Sequence, residues 1–155
     1  MNSIRRQVTV ATLFAAGFLF GKASAHQGQA AAPTRKPITF TRIYAGPEGQ
    51  SHAEEVEMKL TDRGIAEFAA GAAQFSSRPA GPPNTNWYTG PRRQFVITLS
   101  GRAELEVSDG RKVLAGPGHI NLIEDTTGKG HLTRNIEDRI VLTIPLADEP
   151  GAGGN

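Results

Sequence analysis

The chain has 155 residues, of which 17 are basic and 15 acidic, and it contains no cysteine. A fold stapled by disulfides and a lipid anchor on cysteine are therefore excluded. The formal net charge of +2 gives little support to nucleic-acid binding, and it falls to near −1 if Arg5, Arg6 and Lys22 are removed with the N-terminal segment.

The first 25 residues have the pattern of a signal peptide. Arg5 and Arg6 precede an apolar run from Val8 to Phe20, and Ala23-Ser24-Ala25 supplies small residues for cleavage. The run is shorter than the roughly 20 residues that a transmembrane helix needs. We therefore expect a protein that is periplasmic or secreted after cleavage near Ala25-His26, with no membrane-spanning mature form. The Sec and Tat export routes both stay open.

The composition of the rest predicts one domain with two flexible ends. Residues 26–37 are rich in Ala, Gln, Gly and Pro, which is typical of a disordered lead-in. Residues 38–146 carry the β-strand patterns and have a suitable length for a single domain. Residues 147–155 are polar and glycine-rich and are expected to form a flexible tail.

Short runs with a period of two, separated by turn residues, predict strands along the domain. Asp109-Gly110 is typical of a tight hairpin turn. About eight short strands at roughly ten-residue spacing favour an antiparallel sandwich or a closed barrel. The predicted strands cover 38–44, 52–60, 94–99, 103–107, a run that begins at 113, 120–123, 131–133 and 139–145.

The segment from 61 to 86 is irregular. Ile65, Phe68 and Phe75 suit either a short helix or a packed loop, and Gly71 weakens the helix. Residues 76–86 contain three prolines and a glycine and are expected to form an extended loop.

Two short patterns resemble the motifs of the cupin family. Gln94 stands seven residues before Gly101, at the end of an aliphatic strand, and Gly128-Lys129-Gly130-His131-Leu132-Thr133-Arg134-Asn135 reproduces the spacing Gly-x-x-His-x-x-x-Asn. A glycine turn at 116–118 lies between them. The strings Pro-Arg-Arg-Gln and Asp-Thr-Thr-Gly-Lys-Gly-His are similar to a subgroup of small bacterial single-domain cupins. The resemblance implies an all-β fold, a single-domain cupin-type antiparallel β-barrel (RmlC-like jelly roll).

The metal ligands of that family are mostly missing. The resemblance implies Fe, Mn, Ni or Zn held by two histidines and a glutamate of the first motif and a histidine of the second. Here residues 87–91 contain no histidine, the glutamate position is Gln94, and only His131 remains. A Tyr88 phenolate is costly because its unperturbed pKa is about 10. We expect no tightly bound metal, and any metal present would be held through His131.

His131 and Tyr88 are the predicted catalytic residues. The resemblance implies that His131 projects into the barrel as a general acid or base, whereas the alternative is a buried histidine bonded to the backbone. Tyr88 or Gln94 would polarise a ligand oxygen. Gln94 faces the interior only if Val96 and Thr98 do, which the alternation alone leaves open and the resemblance favours.

The other predicted ligand-binding residues surround this strand. Trp87 and Tyr88 either stack on a ligand at the pocket mouth or plug the barrel end. Arg92 and Arg93 either clamp a carboxylate or are ordinary surface arginines. Glu124 and Asp125 are expected to pair with Lys129 or an arginine at the rim, and His52 and His119 are expected to be exposed.

These observations predict an exported cupin that binds a small organic molecule. The first hypothesis is a lyase, dehydratase or isomerase that uses His131 for proton transfer. The second is a periplasmic binding module for a carboxylate or sugar that does no chemistry, and the third is a metal-dependent oxygenase. A homodimer is a further expectation, in which residues 38–44 supply an exchanged edge strand.

Overall fold

The computed structural model describes residues 35–147, which belong to one compact unit. The predicted signal peptide (1–25), most of the lead-in (26–37) and all but the first residue of the tail (147–155) lie outside these residues. The described part contains no helix long and apolar enough to span a membrane. Its nine strands are β1 (Thr39–Ala45), β2 (Ser51–Glu57), β3 (Gln74–Arg78), β4 (Gln94–Ser100), β5 (Ala103–Val107), β6 (Lys112–Ala115), β7 (Ile120–Glu124), β8 (His131–Asn135) and β9 (Arg139–Pro145).

The strands form two sheets. The larger has the order β2-β1-β7-β4-β9-β3, and the smaller has the order β6-β5-β8. Neighbouring strands pair antiparallel, with the exception of β1 and β7, which are parallel. The predicted all-β jelly-roll fold is confirmed, with two differences: hydrogen bonds between strands leave two separate sheets in residues 35–147 rather than a closed barrel, and one strand pair is parallel.

An apolar core fills the space between the two sheets. It combines residues of the larger sheet, such as Ile43, Val96 and Val141, with Leu105 and Val107 of the smaller one. Val107 and Val141 are completely buried. Because successive side chains of a strand alternate between its faces, every second residue of β4, β7 and β9 points into this space.

The opposite face of the larger sheet carries a second apolar cluster. Phe95 and Leu122 form it together with Leu146, and each is at least 93% buried. Phe68, from the segment that follows β2, contacts Phe95 edge-on with ring centroids 5.0 Å apart. The segment containing Phe68 forms turns and irregular backbone, so the packed loop is the correct alternative for the region around it.

Two predictions about strands were wrong. Residues 74–78 form β3, which pairs with β9, although the extended loop was predicted to begin at 76. The run Gln-Phe-Ser-Ser-Arg lacks an alternating apolar face because β3 is an edge strand and Phe75 is 73% exposed. Conversely, β1 is not an edge, since it lies between β2 and β7. The homodimer itself stays a prediction.

Candidate functional site

A small polar cavity of about 170 Å³ lies between the sheets. Strands β4, β7 and β9 contribute Gln94, Asn121 and Arg139 from the inner face of the larger sheet, and β8 of the smaller sheet contributes His131 and Thr133. At roughly 30 Å³ per water, the cavity has room for about five waters or for a ligand of a few heavy atoms. Its other lining residues are Arg78, Tyr88, Gly90, Pro91, Val96, Leu105 and Ile123.

The alternation along β4 places Gln94 inside. Val96 belongs to the core between the sheets and Thr98 is fully buried, whereas Phe95 lies in the cluster on the opposite face. Gln94 pairs with Ile123 of β7, which also lines the cavity. The inward orientation of Gln94 that the resemblance favoured is the one observed.

His131 is held by a buried carboxylate. Its side chain is 5% exposed, and Nδ1 lies 2.7 Å from Oδ2 of Asp125, whose side chain is fully buried. The Ser51 hydroxyl donates to the same carboxylate oxygen over 3.1 Å. A carboxylate accepts, so Nδ1 donates this hydrogen bond, and in the neutral imidazole the lone pair then lies on Nε2. The imidazole therefore has a fixed tautomer and presents its basic nitrogen on the side away from Asp125.

Tyr88 packs on the His131 ring. The two residues form a backbone bridge in which each N–H donates to the other's carbonyl oxygen, at 2.9 and 3.2 Å. Their ring centroids are 4.6 Å apart, and the phenol oxygen lies 2.5 Å from Oγ1 of Thr133. Gly130 permits this approach, because its φ is +79° and a Cβ there would lie 2.1 Å from the Tyr88 carbonyl oxygen. The two predicted catalytic residues are thus neighbours in the cavity wall.

The other predicted ligand contacts lie elsewhere. Arg93 donates from Nε to Oε1 of Glu124 over 2.6 Å, and Arg92 is exposed. Neither arginine lines the cavity, so the carboxylate clamp assigned to them finds no support in its geometry. Trp87 does not line it either, and the Lys129 ammonium lies 4.4 Å from the centre of its ring.

Two expectations about charged residues near the rim need correction. Glu124 does pair with arginines, but Asp125 is buried beneath His131 rather than at the surface. His119 is half-buried, since its Nε2 lies 3.0 Å from the Thr41 hydroxyl and 3.2 Å from Oδ1 of Asn121.

Sequence reasoning missed Arg139, Arg78 and Asn121. Arg139 opens a predicted strand, and a residue with a long charged side chain is almost never fully buried without a partner. A period-two reading of 139–145 would have placed it on the same face as the buried Val141, and that was the only available signal. Arg78 lay in a predicted loop, and nothing in the pattern around Asn121 marks a polar interior.

A wider groove adjoins the cavity. It has a volume of about 600 Å³ and shares Arg78, Tyr88 and Thr133 with the cavity wall. Its other side is the proline-rich segment 79–86. A ligand that reached His131 from this side would pass between that loop and Tyr88, which is 38% exposed.

The donor set of the cavity does not fit Fe, Mn, Ni or Zn. Within residues 35–147 no group of three or more His, Cys, Asp or Glu side chains lies in an arrangement that could hold a metal ion. Around the cavity, one imidazole is accompanied by two amides and two guanidinium groups, and positive guanidinium groups repel a divalent cation. The expectation that no metal is tightly bound stays a prediction.

Comparison with known proteins found likenesses of fold only. No protein-family model and no curated protein matches the chain. Among solved structures, a conserved protein of unknown function from Streptococcus pyogenes is 19% identical, with a TM-score of 0.41, and the match covers 55% of this chain and 70% of that one.

Two further solved structures are cupins by name. An RmlC-like cupin protein from Desulfovibrio desulfuricans is 15% identical, with a TM-score of 0.36 and coverage of 78% of this chain and 94% of that one. The Cnp3 cupin domain of Schizosaccharomyces pombe is 13% identical, with a TM-score of 0.36 and coverage of 74% and 86%. Cupins are thus among the solved structures that are similar to this chain, and the likeness concerns the fold and neither ligand nor reaction.

Proposed function

We propose that the chain binds a small organic molecule in the cavity between its sheets and that His131 moves a proton to or from that molecule. The observation that carries the proposal is the buried Asp125–His131 pair. A general base needs its basic nitrogen aimed at the substrate, and the 2.7 Å bond at Nδ1 leaves Nε2 for that role.

The neighbouring groups suit proton transfer next to an oxygen. When a C–H bond loses its proton, negative charge develops on an adjacent carbonyl or hydroxyl oxygen, and donors placed there stabilise the transition state. Gln94 lines the cavity with an amide, and Tyr88 also lines it, with its phenol oxygen beside the Thr133 hydroxyl. This arrangement favours a lyase, dehydratase or isomerase.

A binding module without turnover is the second candidate. The cavity is lined by polar groups from both sheets and adjoins a groove, which is what the recognition of a small polar ligand also requires. In this case Asp125 only orients the His131 ring as a hydrogen-bonding partner.

The test compares turnover and affinity in matched histidine variants. Purified protein is incubated in D₂O with a panel of small hydroxy acids, keto acids and sugars, and exchange of carbon-bound protons and loss of water are followed by NMR. We expect His131→Ala to abolish turnover while affinity stays within about tenfold, because the interaction lost is made in the transition state. His52→Ala, a partly exposed histidine paired with Glu48 and Asp109, should leave both unchanged.

Other outcomes separate the alternatives. Binding that weakens in His131→Ala without turnover by either protein would favour the binding module. Elemental analysis of the same samples covers the third hypothesis. Near-stoichiometric iron or manganese that disappears in His131→Ala would contradict the proposal and favour an oxygenase.

We also propose that the protein is exported and loses residues 1–25. The basic pair Arg5-Arg6, the apolar run and the small residues up to Ala25 support this. The intact mass of the protein recovered from the periplasm or the medium tests it, and a full-length mass confined to the cytoplasm would contradict it.

A further inference from the structure

Arg139 is a buried cation for which the described part of the protein provides no partner. Its relative exposure is 2%, and its Nε and Nη1 atoms are buried without a hydrogen-bond acceptor. The residue lines the polar cavity. A buried charge is strongly disfavoured unless it is paired, so an unpaired guanidinium in the interior needs an explanation.

Two less buried arginines, by contrast, are paired. Arg42 and Arg93 bind the two oxygens of Glu124, at 2.5 and 2.6 Å from their respective Nε atoms. These side chains are 40% and 25% exposed, so water also contributes to their solvation. The most buried of the three arginines thus has the fewest partners.

A second arginine faces the same space. Arg78 of β3 stands directly opposite Arg139 of β9 in the antiparallel register, and both line the cavity. Like charges directly opposite each other on neighbouring strands are destabilising. Burial, and next the charge of Arg78, lower the pKa of Arg139 to about 10, while Tyr88 acts in the opposite direction.

An amide donor points to the same conclusion. Asn121 is 1% exposed, and its Oδ1 accepts from His119 over 3.2 Å. Its NH₂ group then remains as a donor at the cavity wall, where it has no carboxylate or carbonyl partner among residues 35–147. Two guanidinium groups and one amide therefore offer donors to one small volume.

We propose that this cavity binds the carboxylate group of a small organic acid, held by Arg139 and Arg78 with Asn121 as a further donor. The inference rests on the proposed function and specifies its ligand class. Nε and a terminal nitrogen of a guanidinium form a fork that matches the two oxygens of a carboxylate. His131 and Tyr88 line the same cavity, so a carboxylate held by the two arginines would bring the rest of the acid into the volume that His131 also borders.

The test uses the smallest members of the class. Formate, acetate and propionate are titrated into the protein to about 200 mM at constant ionic strength, beside formamide, acetamide and propionamide, and inorganic phosphate is a separate arm. Readouts are the melting temperature and the side-chain ¹⁵N–¹H signal of Arg139, assigned by its loss in Arg139→Gln. The carboxylates should shift that signal saturably and raise the melting temperature by about 5 °C, whereas the amides should not.

Matched variants locate the effect. Arg139→Gln and Arg78→Gln should each weaken acetate binding about tenfold or more, since each removes charged hydrogen bonds. Arg102→Gln removes an exposed arginine that pairs with Glu137 and should change nothing. If Arg139→Gln does not fold, the wild-type titration and Arg78→Gln still decide the question.

Results that contradict carboxylate binding can be distinguished from results that contradict the proposed function. No saturable response to any carboxylate, an equal response to the amides, or a response retained in Arg78→Gln and Arg139→Gln would overturn the inference. A response to phosphate alone would overturn the assignment to carboxylates. Any of these could accompany turnover that depends on His131, which would leave the proton-transfer proposal standing.

Discussion

The two faces of the six-stranded sheet differ around the cavity, although the same strands form both. In β4 and β7, Phe95 and Leu122 pack on the outer face, while their neighbours Gln94 and Asn121 line the cavity on the inner face. The outer face buries apolar surface, which stabilises the fold by about 25 cal/mol per Å². The inner face buries polar and charged groups near the cavity, which costs free energy unless they are paired.

This difference teaches that adjacent residues of one strand can have different roles, one packing on the outer face and the next lining the cavity on the inner face. The outer cluster is closed by the loop that carries Phe68, and the rings of Phe40 and Phe68 pack edge-on against Phe95. On the inner face, the apolar core and the cavity share Val96, Leu105 and Ile123. The core thereby holds the polar residues in place but gives Arg139 no hydrogen-bond acceptor.

The largest effect on the free energy of unfolding is expected from a substitution on the outer face. Phe95→Ala should lower the free energy of unfolding by about 3–5 kcal/mol, because it removes a buried ring and leaves a cavity. Chemical denaturation measures the loss. Phe75→Ala, at a side chain that is 73% exposed, should stay within about 0.5 kcal/mol of the original protein. Equal effects at the two positions would contradict the packing of this face.

On the inner face, removal of the Arg139 charge should stabilise the protein, in contrast to Phe95→Ala. Arg139→Met replaces an unpaired buried guanidinium by an apolar side chain of similar length. At pH 7 without added carboxylate, the free energy of unfolding should therefore increase by up to about 3 kcal/mol. The gain is expected because burial lowers the pKa of Arg139 from its ordinary value to about 10.

The sign of the pH dependence follows from that lowered pKa. Above pH 10, and up to the ordinary arginine pKa, the unfolded chain binds more protons than the folded protein, so the original protein gains stability as pH rises through this window. The advantage of Arg139→Met should therefore shrink there. Denaturation of both proteins across this range measures the difference, and a variant less stable than the original at pH 7 would show that Arg139 is satisfied.

The smallest effect on the free energy of unfolding is expected at the ion pairs of the outer face. Burial raises the pKa of Glu124, but hydrogen bonds from Arg42 and Arg93 outweigh it and hold the pKa below 4.5. The stabilisation is present above the ordinary pKa and is lost as pH falls through the lowered one. Glu124→Gln should cost about 1 kcal/mol at pH 7, with a difference that vanishes in acid. A cost that is independent of pH would exclude the ion pairs as its source.

Much of the fold was predictable because it depends on local patterns. The alternation of apolar residues predicted eight of the strands, and Asp109-Gly110 marked the hairpin that joins β5 to β6, where Gly110 has a φ of +94°. Strand β3 was missed because an edge strand that exposes Phe75 needs no apolar period. The parallel pair of β1 and β7 has no local signal, since pairing direction depends on the path of the chain between them.

The site was predictable only in part. His131 and Gln94 were placed at the cavity through the motifs and Tyr88 as an aromatic residue beside the proline-rich loop, and all three line it. Arg92 and Arg93 were placed there through their nearness to Gln94 in the chain, yet strand geometry sends Arg93 to Glu124 on the other face. Nearness in sequence failed because adjacent residues of a strand point in opposite directions.

The sequence alone determined eight of the nine described strands, the hairpin turn and the single motif histidine, because periodicity and turn chemistry are local properties. Only the tertiary structure decided that Asp125 is buried beneath His131 and that Arg78 faces Arg139. Within residues 35–147, it also left the buried Nε and Nη1 of Arg139 without an acceptor. Burial and pairing depend on which strands become neighbours and which faces meet, and this is set by the packing of the whole domain.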